Sequence, residues 1–131
     1  MKVLVCGGRN YGLRDPKTRV FMFRTLSALH ERHRFTAVIE GGAPGADASA
    51  ATFAKMNEIP VMTFKADWNN FGRAAGPIRN RRMLVEGKPE LVIAFPGGKG
   101  TADMMFWAKE AGVKVIDVSK DAEIALASPA S

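Results

Sequence analysis

Residues 96–101, PGGKGT, join an apolar run to a helix-like pattern, and their types suit an anion. Glycines let a bound group approach the backbone, and the first N–H groups of the helix that follows have no partner of their own. A phosphate or carboxylate satisfies those groups and meets the positive end of the helix dipole. Lys99 adds a charge. Thr101 adds a hydroxyl, or serves only as the helix N-cap. Two more glycine clusters end apolar runs: Gly7-Gly8, and Gly41-Gly42-Ala43-Pro44-Gly45. None of the three is a G-x-x-x-x-G-K-[ST] phosphate loop or a G-x-G-x-x-G dinucleotide fingerprint. A tight turn from strand to helix favours glycine by itself. Three such turns on one edge favour a phosphate site, with Gly7, Gly8, Gly41, Gly42, Gly45, Pro96, Gly97, Gly98, Lys99, Gly100 and Thr101 as its candidate residues.

Polar side chains fall on the same edge. Arg9 and Asn10 follow the first glycine pair. Glu40 ends the second apolar run, a position suited to a ribose hydroxyl. Asp47 opens the next helix, where it either contacts the ligand or only complements the dipole, worth about 0.3–1 kcal/mol; Asp103 has the same dipole role available to it. If the site performs chemistry, Asp47, Glu40 and Arg79 are the catalytic candidates. The segment RAAGPIRNRR gathers Arg73, Arg79, Arg81 and Arg82 around Asn80. Arginine's planar fork suits phosphate, but on one helix at most two of these side chains reach a common ligand. Trp68 and Phe71 just before them either stack on a base or cover the edge of the core.

The elements that must position these residues alternate. Lys2–Cys6, Phe35–Glu40, Pro60–Phe64, Glu90–Phe95 and Val113–Val118 read as strands. Helices are expected from Asp15-Pro16 to about His33, over Ala46–Met56, from about Pro77 to Glu86, and over Thr101–Ala111, with Met104, Trp107, Ala108 and Ala111 on one face. Lys65–Ala75 is expected as a loop, and the tail from Ser119 as a short last helix or a frayed end. The strands are continuous apolar runs, the mark of a parallel sheet buried on both faces. The expected fold is therefore an α/β, Rossmann-like doubly wound sheet of about five mainly parallel strands in order 3-2-1-4-5. Its ligand crevice lies where strands 1 and 4 meet.

A chain of 131 residues with 47% hydrophobic content fits a single domain with a real core. No apolar stretch is long enough to cross a bilayer, so a cytoplasmic protein with no membrane partner is expected. One cysteine excludes an internal disulfide framework and a cysteine-based zinc site; Cys6 is expected as a buried, inert thiol. His30 and His33 have no carboxylate placed to complete a site, so no metal is expected. The net charge of +6 favours anionic partners.

PGGKGT resembles the PGGxGTxxE motif of the Lonely Guy phosphoribohydrolases, members of the SLOG superfamily of Rossmann-like proteins that also includes the DNA-processing protein DprA. The full set is more similar to the small bacterial and phage YspA-type (YpsA-related) SLOG proteins. It comprises a leading strand into Gly7-Gly8-Arg9, GGAPGAD at 41–47, AGPIRNRRM at 75–83 and the PGG turn, and covers essentially the whole chain. The resemblance implies a SLOG fold with a nucleotide-like ligand under the PGGxGT loop. In Lonely Guy enzymes a glutamate three positions after the threonine and an upstream arginine cleave the N-glycosidic bond of a nucleoside monophosphate. The glutamate position here is Met104, which transfers no proton; the arginine corresponds to Arg79 or Arg81. Asp103, about 100° away around the helix, is expected to point elsewhere. The leading expectation is a module that binds a nucleotide-derived small molecule (a nucleoside phosphate, ADP-ribose or an NAD-related species) and requires no cofactor. The alternatives are a hydrolase of a nucleotide's N-glycosidic or phosphate linkage, and single-stranded nucleic-acid binding. Relatives that pair through helices make a homodimer an open expectation.

Overall fold

The structure, a computed structural model, describes residues 1–119. Five strands form one sheet: β1 (Lys2–Cys6), β2 (Ala37–Glu40), β3 (Val61–Thr63), β4 (Leu91–Ala94) and β5 (Lys114–Asp117). All neighbours pair in parallel and the order is β3-β2-β1-β4-β5, the doubly wound arrangement anticipated from the sequence. The central strands β1, β2 and β4 are buried almost throughout, which is why they carry no polar alternation. The edge strands β3 and β5 are partly exposed.

Successive strand residues point to opposite faces, and the core divides accordingly. Val3, Val5, Val38 and Ile93 pack with Met22, Leu26, Ala50 and Phe53 from α1 (Pro16–His33) and α2 (Ala46–Met56). Leu4, Cys6, Ile39 and Val92 pack with Met83, Met104 and Ala108 from the helices of the second face. These are α4 (Ala75–Val85) and α5 (Lys99–Glu110). The chain therefore leaves β1 toward one face and β4 toward the other, which opens a crevice between their carboxyl ends. Phe95, fully buried just past β4, stacks on Tyr11 at 5.8 Å and meets Phe21 edge-on at 6.5 Å. These contacts tie the end of β4 to the loop after β1.

Helix α1 starts as its sequence indicates: Asp15 caps it by accepting from the Lys17 N–H at 2.9 Å, and Pro16 takes the first helical position. Strands β2 to β5 are shorter than expected by one or two residues at an end, and three differences reshape the edge of the crevice. The loop expected over 65–75 contains α3 (Trp68–Phe71) and a 3₁₀ turn (Gly72–Ala74), nucleated by Asp67, whose carboxylate accepts from the Asn70 N–H. That turn runs directly into α4, which starts two residues before Pro77; a proline within the first helical turn removes no helical hydrogen bond. Helix α5 begins at Lys99, inside the glycine cluster, with Gly98 as its N-cap. Thr101 is thus a buried residue of the first turn and not the cap. The core stripe of α5 is Thr101, Met104 and Ala108. Ala111 is exposed, and Trp107 lies half-buried under the Arg81 guanidinium. Except for Ser119, the tail lies outside the described residues. Among the described residues no helix is long and apolar enough to cross a membrane.

Candidate functional site

The three glycine clusters follow β1, β2 and β4 and meet at one carbonyl edge, with Gly8 as their junction. Its N–H donates to the Pro96 carbonyl at 2.9 Å, and its carbonyl accepts from the Ala46 N–H at 3.1 Å. Two glycines are required by this convergence. Gly45 has φ of 79°, and a Cβ there would run into the backbone carbonyls of Gly8 and Arg9. A Cβ on Gly97 would overlap the Thr101 hydroxyl and come within 2.8 Å of the Gly8 nitrogen. By contrast, a Cβ on Gly98 or Gly100 would meet no atom within 4 Å. The PGGKGT run therefore does two jobs: Gly97 lets loop pack on loop, while Gly98 and Gly100 leave open the space above the helix start.

That space is a cleft of about 550 Å³. Its floor is the end of β1, Cys6 to Gly8. Arg9, Ala43 and Asp47 form one side, and Gly98 to Thr101 with Asp103 the other. Helix α4 closes it with Gly76, Arg79 and Asn80, and Trp68 and Arg73 reach over the rim. The first intrahelical bond of α5 runs from the Ala102 N–H to the Gly98 carbonyl, so the N–H groups of Lys99, Gly100 and Thr101 have no helical acceptor. At the start of α2 the Ala46 N–H already donates to the Gly8 carbonyl at 3.1 Å, and Asp47 in the first turn supplies a carboxylate to the dipole. The anion-ready end is that of α5.

Asn80, buried in α4, organises the polar wall. Its Nδ2 donates to the Gly100 carbonyl at 3.2 Å and to Asp103 Oδ2 at 3.0 Å, while its Oδ1 accepts from Arg79 Nε at 3.0 Å. A second guanidinium nitrogen of Arg79 donates to the Gly41 carbonyl. Arg79 and Asp47 converge on Gly41, where an added Cβ would strike both. Burial pushes the Asp47 carboxyl up to about 6, with Glu40 adding repulsion against the lowering effects of the Ala43 N–H and Arg79. Burial pushes the Arg79 guanidinium down. Burial, assisted by Asp47, raises the Cys6 thiol far above the ordinary thiol range, so it is no nucleophile at neutral pH.

The other expected residues take varied places. Gly41 and Gly42 line a smaller adjoining cavity of about 240 Å³. Gly45, Pro96 and Gly97 line neither space and hold the loops together. Glu40, expected at a ribose hydroxyl or in catalysis, is turned away from both: its carboxylate is buried and accepts from the Gly42 N–H at 2.6 Å and the Thr63 hydroxyl at 2.5 Å. Of the four clustered arginines, Arg73 and Arg79 line the cleft, Arg81 lies over the Trp107 ring, and Arg82 pairs with Glu86 at 2.9 Å. Trp68 is not a core cover; it is 48% exposed and borders both cavities. Helical phase reverses the expectation at the motif's end: Met104 is fully buried against the sheet, and Asp103 lines the cleft. Cys6, Ala43, Gly76, Pro77 and Met83 line the cleft without having been candidates; for Cys6 the available signal was its place at a strand's carboxyl end. Among the described residues no three His, Cys, Asp or Glu side chains converge as metal ligands.

Residues 1–71 match the model of the family described as YspA, cpYpsA-related SLOG family. A relative from Mycobacterium phage D29, the Gene 61 protein, is 34% identical over 125 residues, covering 88% of this chain and 94% of its own. Two crystal structures share the fold. TM1055, a structural-genomics target, superposes with a TM-score of 0.65 at 17% identity over 88% of this chain and 72% of its own. DNA processing protein A (DprA) from Streptococcus pneumoniae gives 0.54 at 16% identity, over 88% of this chain and 58% of its own.

Proposed function

The chain belongs to the YspA, cpYpsA-related SLOG family, and on that footing we propose that its cleft binds a nucleotide-derived small molecule, with a phosphate on the first turn of α5. One observation carries this reading. Arg9, Arg73, Arg79 and Lys99 all border the cleft, yet the one ion pair among the described residues is Arg82–Glu86, on the outer surface. Four cations that form no ion pair, outnumbering the two carboxylates of the lining, Asp47 and Asp103, and sharing the cleft with free helix N–H groups, suit a ligand that brings its own negative charge. The cleft volume accommodates a nucleoside phosphate, ADP-ribose or an NAD-related species, and Trp68 at the rim offers a surface for a base.

A second reading is favoured by Asp47. A carboxyl raised to about 6, on the cleft wall beside Arg79, is suited to proton transfer in hydrolysis of the bound nucleotide's N-glycosidic or phosphate linkage. Single-stranded nucleic acid is the remaining alternative, in keeping with the net charge and with the name of the DNA-processing neighbour.

Native mass spectrometry with thermal-shift titrations tests these readings, using nucleoside monophosphates, ADP-ribose, NAD and a short single-stranded oligonucleotide. We expect a mononucleotide- or dinucleotide-sized adduct, with stabilisation reaching about 2.7 kcal/mol at a hundredfold excess over Kd. Release of the base or phosphate on incubation would establish the hydrolase. No response to any small molecule, with a salt-sensitive response to the oligonucleotide, would overturn the small-molecule reading.

A further inference from the structure

The smaller cavity opens off the cleft on the β2 side, between the turn after β2 and α3. We propose that it is a second anion site, so that the full ligand is a nucleotide carrying two separated anionic groups, one on α5 and one here. The inference rests on the reading of the main cleft given above and specifies the class of its ligand.

Three cationic side chains line the side cavity: Arg9, Lys65 and Arg79. None forms an ion pair among the described residues, and Asp47 and Glu40 act on Arg79 only from a distance. The carboxylates nearest in the fold are already engaged. Glu40 accepts from the Gly42 N–H and the Thr63 hydroxyl, Asp47 from the Ala43 N–H, and Asp67 from Asn70. None of the three lines this cavity. The placement of Lys65 is fixed by backbone shape. Gly42 has φ of 72°, and a Cβ there would lie 2.9 Å from Lys65 Cγ, so the lysine stem rests on the bare glycine. A stem laid down in this way presents its ammonium with less freedom to lose on binding.

Arg9, Trp68 and Arg79 border both cavities, so one molecule passing over them meets both. The Arg9 guanidinium lies 5.9 Å from the centre of the Trp68 ring, forming a flat platform at the junction. The sheet sets the separation. The main anion position follows β4 and the side cavity follows β2, with β1 between them. Two strand spacings place the two anion positions roughly 10 Å apart. That exceeds what one phosphate spans and calls for a nucleotide whose two anionic groups stand apart, as phosphates on opposite sides of a ribose do, with the long Arg9 and Lys65 side chains reaching in to meet them.

Isothermal titration calorimetry on the full chain tests the proposal. The probes are matched pairs, the 5′-monophosphate and the 3′,5′-bisphosphate of each common nucleoside, against wild type, Lys65→Ala and Lys65→Glu. Lys65 is exposed, so both variants should keep the wild-type circular dichroism. For the best-bound nucleoside, wild type should prefer the bisphosphate by about tenfold or more. Lys65→Ala should remove roughly three- to fivefold of that preference and leave the monophosphate within about twofold. Lys65→Glu should abolish or invert it. Equal affinity of wild type for the two members of a bound pair would overturn the second site while leaving the main cleft intact. So would a loss on Lys65 substitution shared equally by both members. Failure of every nucleotide to bind would overturn both readings together.

Discussion

Asn80→Asp isolates the polar wall of the cleft with a single exchange of an amide for a carboxyl. The acceptor facing Arg79 Nε survives, whereas the donor shared by the Gly100 carbonyl and Asp103 Oδ2 is lost. If ionised, the introduced carboxylate would place an oxygen about where Nδ2 is now, 3.0 Å from an Asp103 oxygen. At an effective dielectric near 20, two like charges 4 Å apart repel by about 4 kcal/mol, and two lost hydrogen bonds add about 1 kcal/mol each. The new side chain escapes this penalty by taking up a proton, because its protonated form again donates to Asp103. Its folded pKa is therefore raised above the unfolded value, and the native state binds more protons between the two. Stability is then retained at low pH and lost as pH rises through the folded pKa. Relative to wild type, Asn80→Asp should lose roughly 25 °C in Tm at pH 8, from about 6 kcal/mol at about 4 °C per kcal/mol for a chain of this size. Most of that gap should close by about pH 4.5, near the ordinary carboxyl range. Asn80→Ala loses all three bonds with no titratable replacement, so its deficit of about 2–4 kcal/mol should be the same at both pH values. Thermal unfolding by circular dichroism at pH 4.5 and 8 reads both differences, and subtracting the wild-type curve removes the protein's own titrations. A gap for Asn80→Asp that does not change with pH would refute the assigned network.

The two adjacent glycines of the turn should behave oppositely. A Cβ on Gly98 meets no atom within 4 Å, so the stability of Gly98→Val should stay within about 1 kcal/mol of wild type while nucleotide affinity falls at least tenfold. Gly97→Ala overlaps Thr101 and the Gly8 backbone and should lower Tm by an amount equivalent to about 1–3 kcal/mol. Intact binding by Gly98→Val would remove α5 from the phosphate site. Asp47, raised from 3.8 to about 6 by burial, holds stability below pH 4 that is lost as pH rises through about 6. Asp47→Asn should therefore be more stable than wild type by up to about 3 kcal/mol at pH 8 and equal to it near pH 4; denaturant titrations at the two pH values check this. The buried Cys6 should resist iodoacetamide at pH 8 in the native protein and react fully once unfolded, as mass spectrometry of the intact chain would show.

Much of the fold was legible because each element's local chemistry agrees with its tertiary role. Asp15-Pro16 starts a helix for reasons contained in those two residues, and the unbroken apolar runs of β1 and β4 admit no half-exposed sheet. The convergence of three glycine turns follows from strand order once the order is known. Side-chain engagement was not legible, because it depends on register between strands. Glu40 looks free in sequence, yet its pairing with Thr63 depends on β2 lying beside β3 in the observed register. The same holds for α3: Asp67 caps it locally, but Trp68 gains its place at both cavities only because that short helix packs against α4, with Arg9 beside its indole ring.

The end of the PGGKGT motif shows how one residue carries two readings that only packing separates. Met104 continues an apolar stripe and also occupies the position of a catalytic glutamate in the Lonely Guy motif. Starting α5 at Lys99 puts Thr101, Met104 and Ala108 in line on the sheet, and Met104 is fully buried there beside Leu4, Cys6 and Ala94. An ionised glutamate in that apolar setting would need a partner or a proton, and neither Leu4 nor Ala94 offers one. The acidic residue of α5 that lines the cleft is Asp103, whose carboxylate accepts from Asn80 and so shares one network with Arg79. On the β2 side of the cleft Asp47 is the carboxyl that burial raises toward neutral pH, and so it is the group suited to proton transfer there. A ligand anchored on α5 and reaching toward Lys65 passes across that same wall.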